Sequence, residues 1–183
     1  MCYSVGMRII AGKYRGTKLS PPKSTNIRPT GDKVKQAIFT KLQFFVNDKV
    51  VLDLFSGSGA LGIEALSRGA KFVYFVDKSR ESIALTRKNL EKINGGYKVI
   101  FSDYQSALKS FLEPFDLIIL DPPYASGVYE NCLQIIYEKN LLAKDGIIVC
   151  ERDQTKPINS TLFDLIDSKN YGTVSVDYFV NRG

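Results

Sequence analysis

The sequence predicts an α/β protein built on a doubly wound, mostly parallel sheet, with a small basic β-hairpin in front of it. Three observations carry this. From residue 49 onward, short apolar runs alternate with stretches of helical period, the pattern of repeated βα units. The runs are continuously apolar, which suits strands covered on both faces. Four of them end at or near an aspartate, namely Asp53, Asp77, Asp103 and Asp121.

The elements follow in order. "RIIAGKYRGTKLSPP" groups apolar and basic residues around Gly12 and Gly16 and stops at Pro21 and Pro22, which reads as a hairpin with its basic side chains outward. In "RPTGDKVKQAIFTKLQFF", Thr30 or Asp32 is expected to cap a helix whose buried face carries Val34, Ile38, Leu42 and Phe45. "KVVLDLF" is the first parallel strand, and "ALGIEALSRG" a helix closed by Gly69. "KFVYFVD" is the second strand. It leads into a helix capped by Ser79, with Ile83, Leu90 and Ile93 on one side. "YKVIFSD", "YQSALKSFL" and "FDLIILD" give strand, helix, strand, and residues 127 to 139 another helix. "GIIVCER" is the fifth strand. A helix is expected near residues 159 to 168, and "YGTVSVDYFVN" closes the chain as a strand at or near a sheet edge.

Composition narrows the chemistry. The 183 residues suffice for one well-packed domain, and no stretch approaches the roughly 20 apolar residues of a membrane span. Three scattered cysteines with no metal spacing, and an N-terminus without a signal-peptide pattern, lead us to expect a reducing, cytoplasmic setting. Histidine is absent, which excludes Ser-His and Cys-His nucleophilic mechanisms and histidine zinc motifs. The net charge of +6 is segregated: residues 1–48 hold nine Lys and Arg against Asp32 and Asp48, while the remainder carries 16 basic and 17 acidic side chains. A basic block of this kind fits either a solvated extension or a polyanionic partner such as nucleic acid.

"DLFSGSGALG" places Gly57, Gly59 and Gly62 in a G-x-G-x-x-G spacing, with Asp77 twenty residues after the first glycine. That is the Rossmann-like arrangement for a nucleoside whose ribose meets an acid. A dinucleotide would also set its pyrophosphate on the glycine turn, where Asp53, Asp103 and Asp121 would oppose it. S-adenosylmethionine (SAM) carries no phosphate and has a sulfonium and an ammonium, so it suits this acidic edge better. Then comes "DPPY", residues 121 to 124, directly after the fourth strand. Pro122 and Pro123 fix the backbone past the strand end and remove two N–H donors. The Asp121 carboxylate and the Pro122 carbonyl become a pair of acceptors, with Tyr124 as a stacking face, which is what an exocyclic amine on a planar base requires.

"DLFSGSGALG", "FVDK", "SDY" and "DPPY", in this order, resemble a class I SAM-dependent methyltransferase of the amino-methylating type. "MRIIAGKYRGTKL" and "RPTGDKVKQAIFTKL" further resemble the front of the RsmD family, bacterial enzymes that methylate N2 of a guanine in 16S ribosomal RNA. The likeness runs from Met7 nearly to the C-terminus, and Gly31 departs from it where a second small polar residue is expected. It implies a basic extension over residues 1–27 and a methyltransferase domain over residues 28–183. It also implies catalysis at Asp121, Pro122, Pro123 and Tyr124. Asp53 and Phe55 are expected at the methionine end of SAM, Gly57, Ser58 and Gly59 in the close turn, Asp77 and Lys78 at the ribose, and Asp103 and Tyr104 at the adenine. Arg28 and Thr30 are expected to close the cofactor site, and Arg8, Lys13, Arg15 and Lys18 to hold RNA phosphates. The partner implied is 16S rRNA or an assembling small ribosomal subunit. The sequence itself, with no unexplained apolar surface stretch, no apolar span and no metal spacing, leads us to expect a monomer without membrane or metal. Adenine-N6 methylation of DNA, an NAD-dependent oxidoreductase, and a nucleic-acid-binding module on an inactive fold stay open as rivals.

Overall fold

The computed structural model describes residues 7–22, 31–123 and 127–183. Its elements are α1 (Asp32–Lys41), β1 (Val50–Asp53), α2 (Ala60–Ser67), β2 (Phe72–Asp77), α3 (Arg80–Leu90), β3 (Gly96–Phe101), α4 (Tyr104–Ser110), β4 (Phe115–Leu120), α5 (Val128–Glu138), β5 (Leu142–Asp153), β6 (Phe163–Tyr171) and β7 (Val174–Asn181). Seven strands form one sheet in the order β3-β2-β1-β4-β5-β7-β6. Strands β1 to β5 pair in parallel, and β7 runs antiparallel to both β5 and β6. One face of the sheet is covered by α1, α2 and α3, and the other by α4 and α5, each over its own apolar cluster. Among the described residues no helix is long and apolar enough to cross a membrane.

Local chemistry explains most boundaries. Ser79 caps α3 by accepting from Ser82 N, and Asp103 caps α4 by accepting from Ser106 N. Arg68 and Gly69, the latter at φ +97, close α2. At the front of α1 the structure corrects the expectation: Gly31 is the cap residue and offers no side-chain bond, and Asp32 lies inside the first turn. Its carboxylate faces the Lys35 ammonium at 3.6 Å and the Arg8 guanidinium at 3.8 Å. Thr30, the other candidate cap, lies outside the described residues.

A second correction concerns the C-terminal region. Where a helix was expected near residues 159 to 168, β6 pairs with β7 from Phe163↔Asn181 to Tyr171↔Val174. Gly172, at φ +65, and Thr173 form the two-residue link between these strands. A glycine-first two-residue turn matches the twist of a hairpin, and the pairing it sets overrides the weak helical spacing of Leu162, Phe163, Leu165 and Ile166. The final strand β7 therefore lies second from the edge, with β6 outside it.

The basic hairpin is held by the antiparallel bridge Arg8↔Lys18, with Ile9 N donating to Thr17 O (3.0 Å) and Leu19 N to Met7 O (2.8 Å). It lies over α2, and all eight residues of α2 are buried, including Glu64. Glu64 accepts from Ile10 N (2.8 Å), Ala11 N (3.0 Å) and Arg68 Nε (2.7 Å), so a buried carboxylate takes up the hairpin's free amides. At Gly12 (φ +84) a Cβ would stand 1.9 Å from the Ser67 carbonyl oxygen, which makes this turn a contact only glycine can form.

Candidate active site

The sheet order reverses between β1 and β4, the switch point beyond which open α/β sheets bind ligands. Register fixes the acids there. Asp53, the last residue of β1, pairs with Phe75 on β2 and Ile119 on β4. Asp77 and Asp121 each stand two residues further along those flanking strands, so three carboxylates share one rim.

Asp53 is 1 % exposed and its Oδ2 accepts from Gly62 N at 2.9 Å. Burial raises its carboxyl to about 7 against the opposing pull of the Gly62 N–H, and the Asp121 and Asp77 charges push it further up. Asp77 is oriented on both sides: Oδ2 accepts from Gly57 N (2.9 Å) and Oδ1 from Ser79 N (2.8 Å). The turn between β1 and α2 is tight, with Gly57 at φ +52, Gly59 at φ +79 and Gly59 N donating to Ser56 O (2.6 Å). A Cβ on Gly62 would stand 2.3 Å from the Phe75 ring, so this third glycine serves helix-to-sheet packing.

The other expected cofactor residues distribute as follows. Phe55 and Tyr104 are half-buried, their rings 5.6 Å apart and inclined at 44°. Asp103 lies exposed beyond β3, and the backbone N–H of Ser106 holds its carboxyl below the usual range. Ser58 is buried and turns its hydroxyl toward the Met7 sulfur, 3.7 Å away. Lys78 is exposed beside Asp77. Asp121 is half-buried, Pro122 buried and Pro123 exposed, directly after the buried strand β4. Arg8, Lys13, Arg15 and Lys18 all reach solvent from the hairpin. Arg28, Thr30 and Tyr124 lie outside the described residues.

A glycine turn over three strand-end carboxylates, on this strand order, can hold a cationic nucleoside and set acceptors beside it. The family model described as Conserved hypothetical protein 95, the RsmD family, matches residues 7–180. The chain belongs to the RsmD family. It is 35% identical over 181 residues to "Ribosomal RNA small subunit methyltransferase D" of Haemophilus influenzae, covering 96% of this chain and 94% of that one. It is 35% identical over 148 residues to the protein of the same name from Escherichia coli K12, covering 80% and 75%. The solved Escherichia coli structure named "Putative methyltransferase yhhF" superposes with a TM-score of 0.87 at 30% identity, covering 97% of this chain and 98% of that one.

Three residues of this RsmD-family chain escaped the sequence reading. Thr86 Oγ1 donates to Gly57 O (3.0 Å), and Asn89 Nδ2 donates to Ser58 O (2.9 Å), so α3 holds the glycine turn by its carbonyls. Both are buried. The signal was present, because they are polar residues inside the apolar stripe of Ile83, Leu90 and Ile93. Tyr129 is a third. Its hydroxyl donates to the Glu151 carbonyl, which ties the start of α5 to β5 next to the Asp121 segment.

Proposed function

We propose that this protein transfers a methyl group from SAM to the exocyclic N2 of a guanine in 16S ribosomal RNA, in the cytoplasm. The observation that carries the reading is the position of Asp121 and Pro122, immediately beyond β4 and two residues past the level of Asp53. The RsmD-family relatives support the RNA substrate by their names, and neither rival chemistry finds support among them.

The residues fit the cofactor. Buried Asp53 has its charge opposed by Asp77 and Asp121, and among the described residues no ion pair reaches Asp53 or Asp77. A cationic ligand relieves that repulsion, and a pyrophosphate adds to it. When bound, SAM supplies an already activated methyl group, so the protein's work is orientation and electrostatics.

Asp53 would hold the ammonium of the methionine part, and Asp77, fixed by Gly57 and Ser79, would accept from the ribose hydroxyls. Phe55 and Tyr104 would take the adenine, and Asp103 its amino group. Asp121 and the Pro122 carbonyl accept the two N–H bonds of the guanine N2. That turns the nitrogen lone pair out of conjugation with the ring and stabilises the positive charge that grows on it. No histidine is needed, since the extra proton leaves after the methyl group has transferred.

Methylation assays with labelled SAM on small ribosomal subunits, naked 16S rRNA and DNA test the reading. Label recovered as N2-methylguanosine from the ribosomal substrates is expected. Label in DNA, or as N6-methyladenine, would overturn it.

A further inference from the structure

The hairpin supplies only part of the cationic surface on this side of the molecule. We propose that Lys88 on α3 and Lys92 in the turn after it form the second wall of the RNA-binding surface, with RNA phosphates lying between them and the hairpin. This rests on the reading that the substrate is RNA.

The hairpin is fastened to α3 at its base and to the segment after α3 at its tip. Asn89 Oδ1 accepts from Ser20 N (2.7 Å), and its Nδ2 donates to Ser20 O (3.1 Å). At the hairpin tip, Tyr14 Oη donates to Asn94 O (2.7 Å) and accepts from Asn94 N (3.0 Å). Lys13 and Arg15 flank Tyr14, and Lys18 precedes Ser20 by two residues. Their positions relative to α3 are therefore set by four hydrogen bonds.

Chain position puts two lysines beside these bonds. Lys88 directly precedes Asn89 on α3, and Lys92 stands in the turn after α3, between Asn89 and Asn94. Lys88 and Lys92 thus border the hairpin.

Charge is the second argument. Lys13, Arg15, Lys18, Lys88 and Lys92 are all exposed, and none is in an ion pair among the described residues. Five unneutralised cations on two fastened elements repel one another until a polyanion covers them. Asn89 holds the Ser58 carbonyl as well as Ser20, so one side chain links this surface to the methyl-donor turn. RNA held there enters beside the acids of the rim.

The test compares the double variant K88E/K92E with K139E/K144E, an equal charge change on exposed residues just past α5 and in β5. Affinity for a 16S rRNA transcript is measured by filter binding from about 50 to 200 mM salt, with SAM affinity as the control for folding. K88E/K92E is expected to bind RNA at least about tenfold more weakly at low salt, and its slope of log affinity against log salt to be shallower by about one to two. K139E/K144E is expected to stay within about twofold of wild type, and SAM binding to be unchanged in both. Equal losses in the two variants, or normal RNA binding by K88E/K92E, would overturn this surface while leaving the function intact. Wild-type protein that binds SAM but no RNA would overturn the functional reading and this surface together.

Discussion

Asn89 on α3 joins two parts of the molecule that meet different ligands: it takes both polar backbone groups of Ser20 at the base of the hairpin and donates to the Ser58 carbonyl in the glycine turn. It is only 5 % exposed, so water does not replace these bonds when the side chain is cut back. Asn89→Ala is expected to raise the Kd for SAM about 5- to 10-fold, from roughly 1 kcal/mol of lost turn orientation. Calorimetric titration checks it. An unchanged Kd with a lowered melting temperature would leave Asn89 a purely structural residue.

Asp53 provides a pH signature. With no histidine in the chain, the window from pH 5 to 8 is nearly free of other side-chain titrations. Because its folded carboxyl sits near 7, raised from 3.8, the ligand-free protein keeps a proton that the unfolded chain has lost. Wild-type stability relative to Asp53→Asn should therefore fall as pH rises from about 4 to 7 and level off above that. SAM, if its ammonium meets ionised Asp53, should bind about tenfold more weakly per pH unit below 7, with proton release on binding. Flat affinity from pH 5 to 8 would remove Asp53 from the ammonium.

Asp121→Ala separates methyl transfer from cofactor binding. Losing one acceptor of the target amine should lower turnover by about 10²- to 10³-fold. The Kd for SAM should move little, since Asp121 acts on the acceptor side. Single-turnover methylation together with SAM titration reads both numbers, and near-normal turnover would exclude this role.

Glu64→Ala tests how the hairpin is fastened. The substitution leaves the Ile10 and Ala11 amides and the buried Lys35 ammonium, 3.9 Å away, without their carboxylate. Removing one partner from a buried charge network typically costs about 3–5 kcal/mol. Urea unfolding should show a loss of that order, and protease should cut the hairpin region faster.

The alternation of βα units, the Ser79 cap and the rim aspartates were legible in the chain because each reports its own neighbourhood. Apolar periodicity reflects local burial, and a strand-end Asp reflects the turn that follows it. The SAM preference was legible too, because the charge of Asp53 opposes phosphate wherever the glycine turn lies.

Other features depend on residues far apart in sequence. Leu162 to Ile166 fit a helix by spacing, yet β7 pairs with that segment and makes it an edge strand. "ALGIEALS" gives no sign of what covers its outer face, since Glu64 meets Ile10 and Ala11 across more than fifty residues. Likewise Thr86 and Asn89 are ordinary polar residues until the fold brings Gly57 and Ser58 beneath them. The sequence by itself determined the doubly wound architecture, the acidic rim and the basic front, because side-chain period and charge act locally. Only the tertiary structure decided the position of β6, the docking of the hairpin on α2 and the hold of α3 on the glycine turn. Those rest on hydrogen bonds and burial that exist only once distant segments have packed.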